Sequence, residues 1–129
     1  MHRRQFLAVG AVGSVAGFTG LAGCLATPDD QGRLDLTVQN EGDAPVEARV
    51  VVTDADGTTY EDETDRIDPG VARAFEVIVA ASGRHEVVVS GDAWEGALAW
   101  DADRCRLYDG TVRVAADRVE VAGECADPR

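Results

Sequence analysis

Between Leu34 and Val89 the chain alternates apolar and polar residues with a period of two. The clearest run is Leu-Asp-Leu-Thr-Val-Gln at residues 34–39, and residues 46–52, 73–79 and 85–89 repeat the pattern. Successive side chains of a β-strand point to opposite faces, whereas a helix would repeat its apolar residues every three to four positions. The pattern therefore predicts half-buried β-strands, with a more polar strand at residues 58–64 anchored by Tyr60.

Turn-forming residues separate these runs about every 8–15 residues. The turn signals are Asn40-Glu41-Gly42-Asp43, Asp54-Ala55-Asp56-Gly57, Ile67-Asp68-Pro69-Gly70 and Ser82-Gly83. Gly57 is available for a positive φ angle, which other residues adopt with difficulty. Short strands at this spacing predict an all-β sandwich.

The same residues resemble the immunoglobulin-like domains of archaeal and bacterial surface proteins, including the CARDB type. An N-x-G turn follows the first strand, an x-P-G turn precedes the middle strand, and Gly83-Arg-His-Glu-Val-Val-Val89 matches a later strand. The resemblance covers about residues 33–90. It implies an immunoglobulin-like antiparallel β-sandwich of about seven to nine strands, and it implies no function, because one fold hosts many activities.

Residues 91–129 depart from that pattern, and we expect a strand, a hairpin and a disulfide there. The predicted strand at 104–108 would turn at Asp109-Gly110, and a second turn would lie at Ala116-Asp117. Cys105 and Cys125 are the cysteines that remain after Cys24, and an even count in an exported chain predicts one disulfide. Its loop of about 20 residues would stabilise the fold by roughly 3 kcal/mol. The sandwich domain is expected at residues 33–129.

The start of the chain predicts an export leader. Arg3 and Arg4 precede residues 6–22, which hold no charged residue, and this start resembles a twin-arginine translocation signal. Leu21-Ala22-Gly23-Cys24 resembles a lipoprotein lipobox, which implies cleavage before Cys24 and a lipid on its thiol. We therefore expect a signal peptide at 1–23 and a lipidated tether at 24–32. The alternatives are an uncleaved membrane anchor, for which the run of about 17 residues is short, and plain secretion.

The composition resembles that of proteins from extreme halophiles. The chain has no lysine, and without the leader 24 acidic residues face ten arginines, a net charge of −14. At molar salt the Debye length is about 3 Å, so repulsion is screened while the carboxylates keep the surface hydrated. The alternative is an acidic domain that binds a basic partner. Nucleic acid is disfavoured as a partner, because no basic stripe exists.

Three motifs invite a chemical interpretation, and each has a structural one. His85 is the only histidine after the leader, which is too few for a catalytic triad or a blue-copper site. Asp54-Ala-Asp56-Gly57 is too short for a calcium loop and favours a turn. The acidic stretch at residues 61–68 could gather a divalent cation, but a solvated edge strand explains it better. We therefore expect no metal and no cofactor.

Trp94 and Trp100 form the most interesting candidate site. Asp92, Glu95, Asp101 and Asp103 flank them, and aromatic rings beside carboxylates can bind sugars or cations. The structural alternative is that one or both rings fill the core, since large aliphatic residues are scarce.

These observations predict a non-enzymatic binding module, anchored through Cys24 to the outer face of the cytoplasmic membrane. Its partner would be a cell-surface or membrane protein. The alternatives are an accessory subunit of a membrane transport or respiratory complex and, less favoured, a small metal-dependent enzyme.

Overall fold

The computed structural model describes residues 31–129, and this part of the chain folds into eight β-strands without a helix. The strands are β1 (Gln31–Asn40), β2 (Val46–Asp54), β3 (Thr59–Ile67), β4 (Ala72–Ala80), β5 (Arg84–Ser90), β6 (Glu95–Asp101), β7 (Cys105–Val114) and β8 (Val119–Pro128). Within residues 31–129, no helix is long and apolar enough to cross a bilayer. Arg3, Arg4 and Cys24 lie outside the described residues, so the export signal and the lipid remain predictions.

The strands form two four-stranded sheets, in the orders β4-β1-β7-β8 and β3-β2-β5-β6. The all-β sandwich and its expected number of strands are confirmed. All neighbouring strands are antiparallel except β1 and β7, which are parallel because the chain enters both from the same end of the sandwich. β1 and β2 lie in different sheets, whereas the first two strands of a constant-type immunoglobulin domain share one.

The core lies between the sheets and follows from the alternation in the sequence. Every second residue of β1, from Leu34 to Val38, is at most 1% exposed, and the buried residues of β2 and β5 in the other sheet face them. Leu36 pairs with Phe75 of β4, so both side chains lie on the same inner face. Burial of these aliphatic and aromatic side chains, at about 25 cal/mol per Å² of apolar area, is the main force that holds the sheets together.

The strand directions give the sandwich two distinct ends. The near end contains Gln31, where the chain enters, and the loops at residues 55–58, 81–83 and 102–104. The far end contains the loops at residues 41–45, 68–71, 91–94 and 115–118. The registers fix this division, since Gln31 pairs with Ala80 and Asn40 pairs with Val114. β1 runs the whole length between the two ends.

The predicted turn at Asp109-Gly110 is wrong, because both residues lie inside the continuous strand β7. Gly110 serves close packing instead. A Cβ atom there would approach Leu98 Cδ1 of the opposite sheet to 2.7 Å. The turn at residues 115–118 is present, and the expected hairpin is formed by β7 and β8. Strand β6, which the sequence pattern did not predict, completes the other sheet.

The expected pairing of Cys105 with Cys125 is formed, with 5.7 Å between the two Cα atoms. It joins the start of β7 to β8 at the near end. Close to it, the Arg129 side chain donates hydrogen bonds to the carbonyl oxygens of Ala102, at 2.8 Å, and Gln31, at 2.5 Å. The C-terminal residue therefore fastens β8 to the point where the chain enters the domain.

Candidate functional site

The two tryptophans lie at opposite ends of β6 and do not share a surface. Trp100 is 5% exposed and belongs to the core, so its proposed place in a ligand surface is wrong. Trp94 directly precedes β6 at the far end, where it is half-buried and packs against the edge of the core. Five residues of extended strand lie between the two tryptophans, which is why neighbours in the sequence are distant in the fold.

Trp100 is one member of a column of four aromatic rings at the near end. The ring centroids of Tyr60, His85, Trp100 and Tyr108 follow one another at 5.5, 5.4 and 5.3 Å. His85 is fully buried, as its inward position in the sequence pattern predicted. The His85 Nδ1 atom lies 3.1 Å from the Gly83 carbonyl oxygen, which can only accept, so Nδ1 is the donor of this hydrogen bond. These spacings are those of attractive aromatic pairs, so the column stabilises the core.

Asp54 closes the β2–β3 turn, as expected for this motif. Its Oδ1 atom accepts hydrogen bonds from the backbone amides of Asp56, at 2.9 Å, and Thr58, at 3.0 Å. The Tyr60 hydroxyl donates to its Oδ2 atom at 3.2 Å. Desolvation alone would raise the pKa of Asp54, but these three hydrogen bonds outweigh it and lower the pKa. The carboxylate is thus engaged in the turn, and Gly57 adopts the positive φ that we expected.

The acidic stretch forms β3, which is an edge strand of its sheet. Asp62 accepts two hydrogen bonds from Arg49 of β2, at 2.9 and 2.7 Å, and Asp65 pairs with Arg73 of β4. The guanidinium of Arg49 lowers the pKa of Asp62. Among residues 31–129, no three histidine, cysteine or acidic side chains cluster in the way that a metal site requires. The solvated-edge interpretation accounts for these carboxylates.

At the far end, Trp94 is held in place by the tight turn between β5 and β6. The Gly91 amide donates to the Trp94 carbonyl oxygen at 2.9 Å, and the indole lies directly over Gly91. A Cβ atom at position 91 would overlap the ring. The absence of a side chain at Gly91 therefore leaves the space that the indole occupies, a role that the sequence alone did not reveal.

Asn40 fixes the loops around Trp94, although its place in the sequence predicts only a turn residue. The side chain is 1% exposed and makes three hydrogen bonds. Its Nδ2 atom donates to the carbonyl oxygens of Ala44, at 2.8 Å, and Ile67, at 3.0 Å, and its Oδ1 atom accepts from the Gly42 amide at 2.9 Å. One buried amide thus orders the β1–β2 loop and ties it to the opposite sheet.

Two clefts border Trp94. The first has a volume of about 260 Å³ and is lined by the indole, the β1–β2 loop from Gly42 to Val46, and residues 114–116. The second has a volume of about 470 Å³ and is lined by Trp94, Glu95 and residues 115–119. Alanines line both clefts, Pro45 lines the first, and charged side chains line much of the second. The arrangement is a half-buried aromatic ring that borders two shallow recesses.

Negative charge is concentrated at this end. The four far-end loops carry five carboxylates and one arginine: Glu41, Asp43, Asp68, Asp92, Asp117 and Arg118. The near-end loops and the C-terminal residue carry two carboxylate side chains and two arginines: Asp56, Asp103, Arg104 and Arg129. The far end is therefore more acidic than the near end.

The carboxylates that border the clefts are not neutralised within the domain. Arg118 pairs with Glu120 at 3.3 Å, and Glu41 lies 3.9 Å from Arg113. Across the described residues, Asp43, Glu95 and Asp117 have no ion-pair partner. These three side chains are exposed, and each lines one of the two clefts beside Trp94.

No protein-family model matches the chain, and no curated protein matches it by sequence. Its structure is similar to that of the T6SS lipoprotein TssJ1 from Pseudomonas aeruginosa, with a TM-score of 0.56 and 14% sequence identity over 74% of this chain and 98% of TssJ1. It is also similar to the toxin intermedilysin, with a TM-score of 0.40 and 13% identity, and covers 75% of this chain but 24% of the toxin. At these identities the TssJ1 likeness shows the fold alone, and the lower score carries no argument.

Proposed function

We propose that the protein is a lipid-anchored, non-enzymatic interaction module on the outer face of the cytoplasmic membrane of a halophilic archaeon. Arg3 and Arg4 would direct export, and Cys24 would carry the lipid. The lysine-free acidic composition supports a high-salt environment, and a disulfide between Cys105 and Cys125 fits an oxidising compartment. The fold that the chain shares with TssJ1, itself a lipoprotein, is compatible with this arrangement.

The observation that carries this proposal is the position of Trp94 relative to the point where the chain enters the domain. Gln31 lies at the near end, and the Trp94 clefts lie at the far end of the same sandwich. A tether that links Cys24 to Gln31 attaches the domain by its near end. The far end, with Trp94 and its unpaired carboxylates, then faces away from the attachment and is free to meet a partner.

Replacement of Cys24 tests the anchor. We expect Cys24→Ser to move the protein from the membrane fraction to the soluble fraction, because the hydroxyl cannot accept a thioether-linked lipid. Ala26→Ser, two residues away, is the matched control and should stay with the membranes. Mass spectrometry of the mature N-terminal peptide provides a second readout. A Cys24→Ser protein that remains membrane-bound, or an unmodified Cys24 in the wild type, contradicts the proposal.

A further inference from the structure

We propose that the Trp94 surface docks a polypeptide segment in which an arginine or lysine stands beside small apolar residues. We define the Trp94 surface as Trp94 with the two clefts beside it. The inference rests on the proposed function only in taking the domain to be a binding module, and it does not depend on the lipid. The partner chemistry follows from the shape and the charge of this surface.

The aromatic ring provides the first argument. Trp94 is half-buried, and its indole is fixed by Gly91 below and by the core beside it. A fixed ring costs little entropy when it is covered by a ligand. Tryptophan is the best aromatic partner for a cation that lies over its face.

The carboxylates provide the second argument. Asp43 lines the first cleft beside Trp94, and Glu95 and Asp117 line the second. An arginine or lysine whose alkyl stem crosses the indole would meet a carboxylate in either cleft. Arg118 also lines the second cleft but pairs with Glu120 at 3.3 Å, so the unpaired carboxylates make a cationic segment more complementary than an acidic or phosphorylated one.

The clefts provide the third argument. Their linings of alanine, proline, valine and backbone include Ala44, Pro45, Ala115 and Ala116. The recesses are shallow and partly apolar, which suits alanine, proline or valine side chains next to the cation. A large aromatic side chain on the partner would not be needed for affinity.

The salt concentration determines which of these charges contribute to binding. At molar ionic strength the Debye length is about 3 Å, so long-range attraction between the acidic domain and a basic partner is screened. Only carboxylates in direct contact with the cation then retain an effect. The inference therefore assigns the binding energy to the three cleft carboxylates and Trp94 and not to the net charge of the domain.

Binding of matched peptides to the full mature protein in detergent and molar salt tests the inference. The probes are a short peptide of alternating arginine and alanine and the same peptide with citrulline, a neutral isostere, in place of arginine. We expect the arginine peptide to bind and to alter Trp94 fluorescence, and the citrulline peptide to bind about tenfold more weakly. Equal binding of the two peptides, preference for citrulline, or no binding of the arginine peptide overturns the inference.

Charge variants then locate the site without disturbing the core. The triple variant Asp43→Asn, Glu95→Gln, Asp117→Asn should weaken binding of the arginine peptide by about tenfold, since each exposed ion pair contributes only weakly and three of them are removed. The control triple Asp56→Asn, Glu86→Gln, Asp109→Asn removes the same charge from exposed sites elsewhere and should leave the affinity unchanged. Equal losses in both triples would mean that net charge drives binding, and no loss in the cleft triple would place the peptide elsewhere. Either result contradicts the inference, and neither bears on membrane attachment, which the Cys24 experiment tests separately.

Discussion

The side chain of Asn40, in β1, donates a hydrogen bond across the sandwich to the carbonyl oxygen of Ile67, in β3, at 3.0 Å. The backbone of Asn40 instead continues the pairing of β1 with β4, because its carbonyl oxygen accepts from the Gly70 amide at 2.8 Å and its amide donates to the Val71 carbonyl oxygen at 3.0 Å. The residue therefore couples the two sheets at the end that carries the Trp94 surface, and it orders the loop that lines one cleft.

Replacement of Asn40 by alanine should destabilise the domain by about 2–4 kcal/mol, because buried backbone groups at Gly42, Ala44 and Ile67 lose their partner. Chemical denaturation in molar salt measures the loss. Gln39→Ala, at the neighbouring half-buried position, is the control and should cost less than half as much. A loss for Asn40→Ala no larger than that of the control would show that the amide does not couple the sheets.

Loss of the Cys105–Cys125 bridge should lower the stability by about 3 kcal/mol, since the sequence separation of 20 residues sets the entropy that the bridge removes from the unfolded chain. The double variant Cys105→Ser, Cys125→Ser, compared with the wild type by denaturation with and without reductant, measures this. Reductant should destabilise the wild type and leave the double variant unchanged. Two reactive thiols in the unfolded, unreduced mature wild type would show that the bridge is absent in the cell.

Stability should fall at acid pH in a way that depends on Asp54. Its folded pKa is lowered by the Thr58 and Asp56 amides and the Tyr60 hydroxyl, in spite of desolvation, so its stabilising effect is complete above the ordinary value of 3.8 and is lost as the pH falls below it. Denaturation midpoints measured across this range should drop more steeply for the wild type than for Asp54→Asn. Asp56→Asn, in the same turn, should follow the wild type. Identical acid slopes for the wild type and Asp54→Asn would contradict this prediction.

Tyr60, whose hydroxyl donates a hydrogen bond to Asp54, should limit the stability of the domain at alkaline pH. Desolvation and the hydrogen bond to Asp54 raise the pKa of Tyr60 above its ordinary value of 10.0, so ionisation of Tyr60 is linked to loss of stability as the pH rises past that value. Tyrosinate absorbance should show one hydroxyl that ionises later than a free tyrosine, and Asp54→Asn should bring it closer to the free value. No change in Asp54→Asn would remove the proposed coupling.

A methyl group at position 91 should displace the Trp94 ring without unfolding the core. In Gly91→Ala the new Cβ would overlap the indole, which must swing toward solvent. Acrylamide quenching should then reach one tryptophan more easily, while Trp100 stays protected at 5% exposure. Gly42→Ala is the control, since its Cβ would meet no atom closer than 3.4 Å. Equal quenching in Gly91→Ala and the wild type would mean that Gly91 does not determine the position of the Trp94 ring.

The first five strands could be predicted from the sequence, because alternation with a period of two is a direct record of which side chains face the core. The cysteine pair and the turn at Gly57 were predictable for the same reason, since each depends on local residue type. Gly110 was misread because a glycine after an aspartate predicts a turn, whereas here it makes room for Leu98 of the opposite sheet. Such close approaches depend on partners that are distant in the sequence.

The candidate site was only partly predictable. The sequence grouped Trp94 with Trp100, but a strand separates them, and only the three-dimensional structure shows that one ring is internal and the other lies at an end. Asn40 and Gly91 carry no sequence signal beyond that of turn residues. Their roles depend on Ile67 and on the indole of Trp94, which the fold brings to them.

Site-specific photo-cross-linking in native membranes at molar salt tests the central claim most directly. Ala116, at the far end, and Ala55, at the near end, are both exposed alanines in loops, so each can carry the same cross-linker. We predict a discrete protein adduct from position 116, and a smaller yield of it in the Asp43→Asn, Glu95→Gln, Asp117→Asn variant. We predict no such adduct from position 55. A protein adduct from position 55 alone, or equal adducts from both positions, would contradict the claim that the domain presents its far end to a partner.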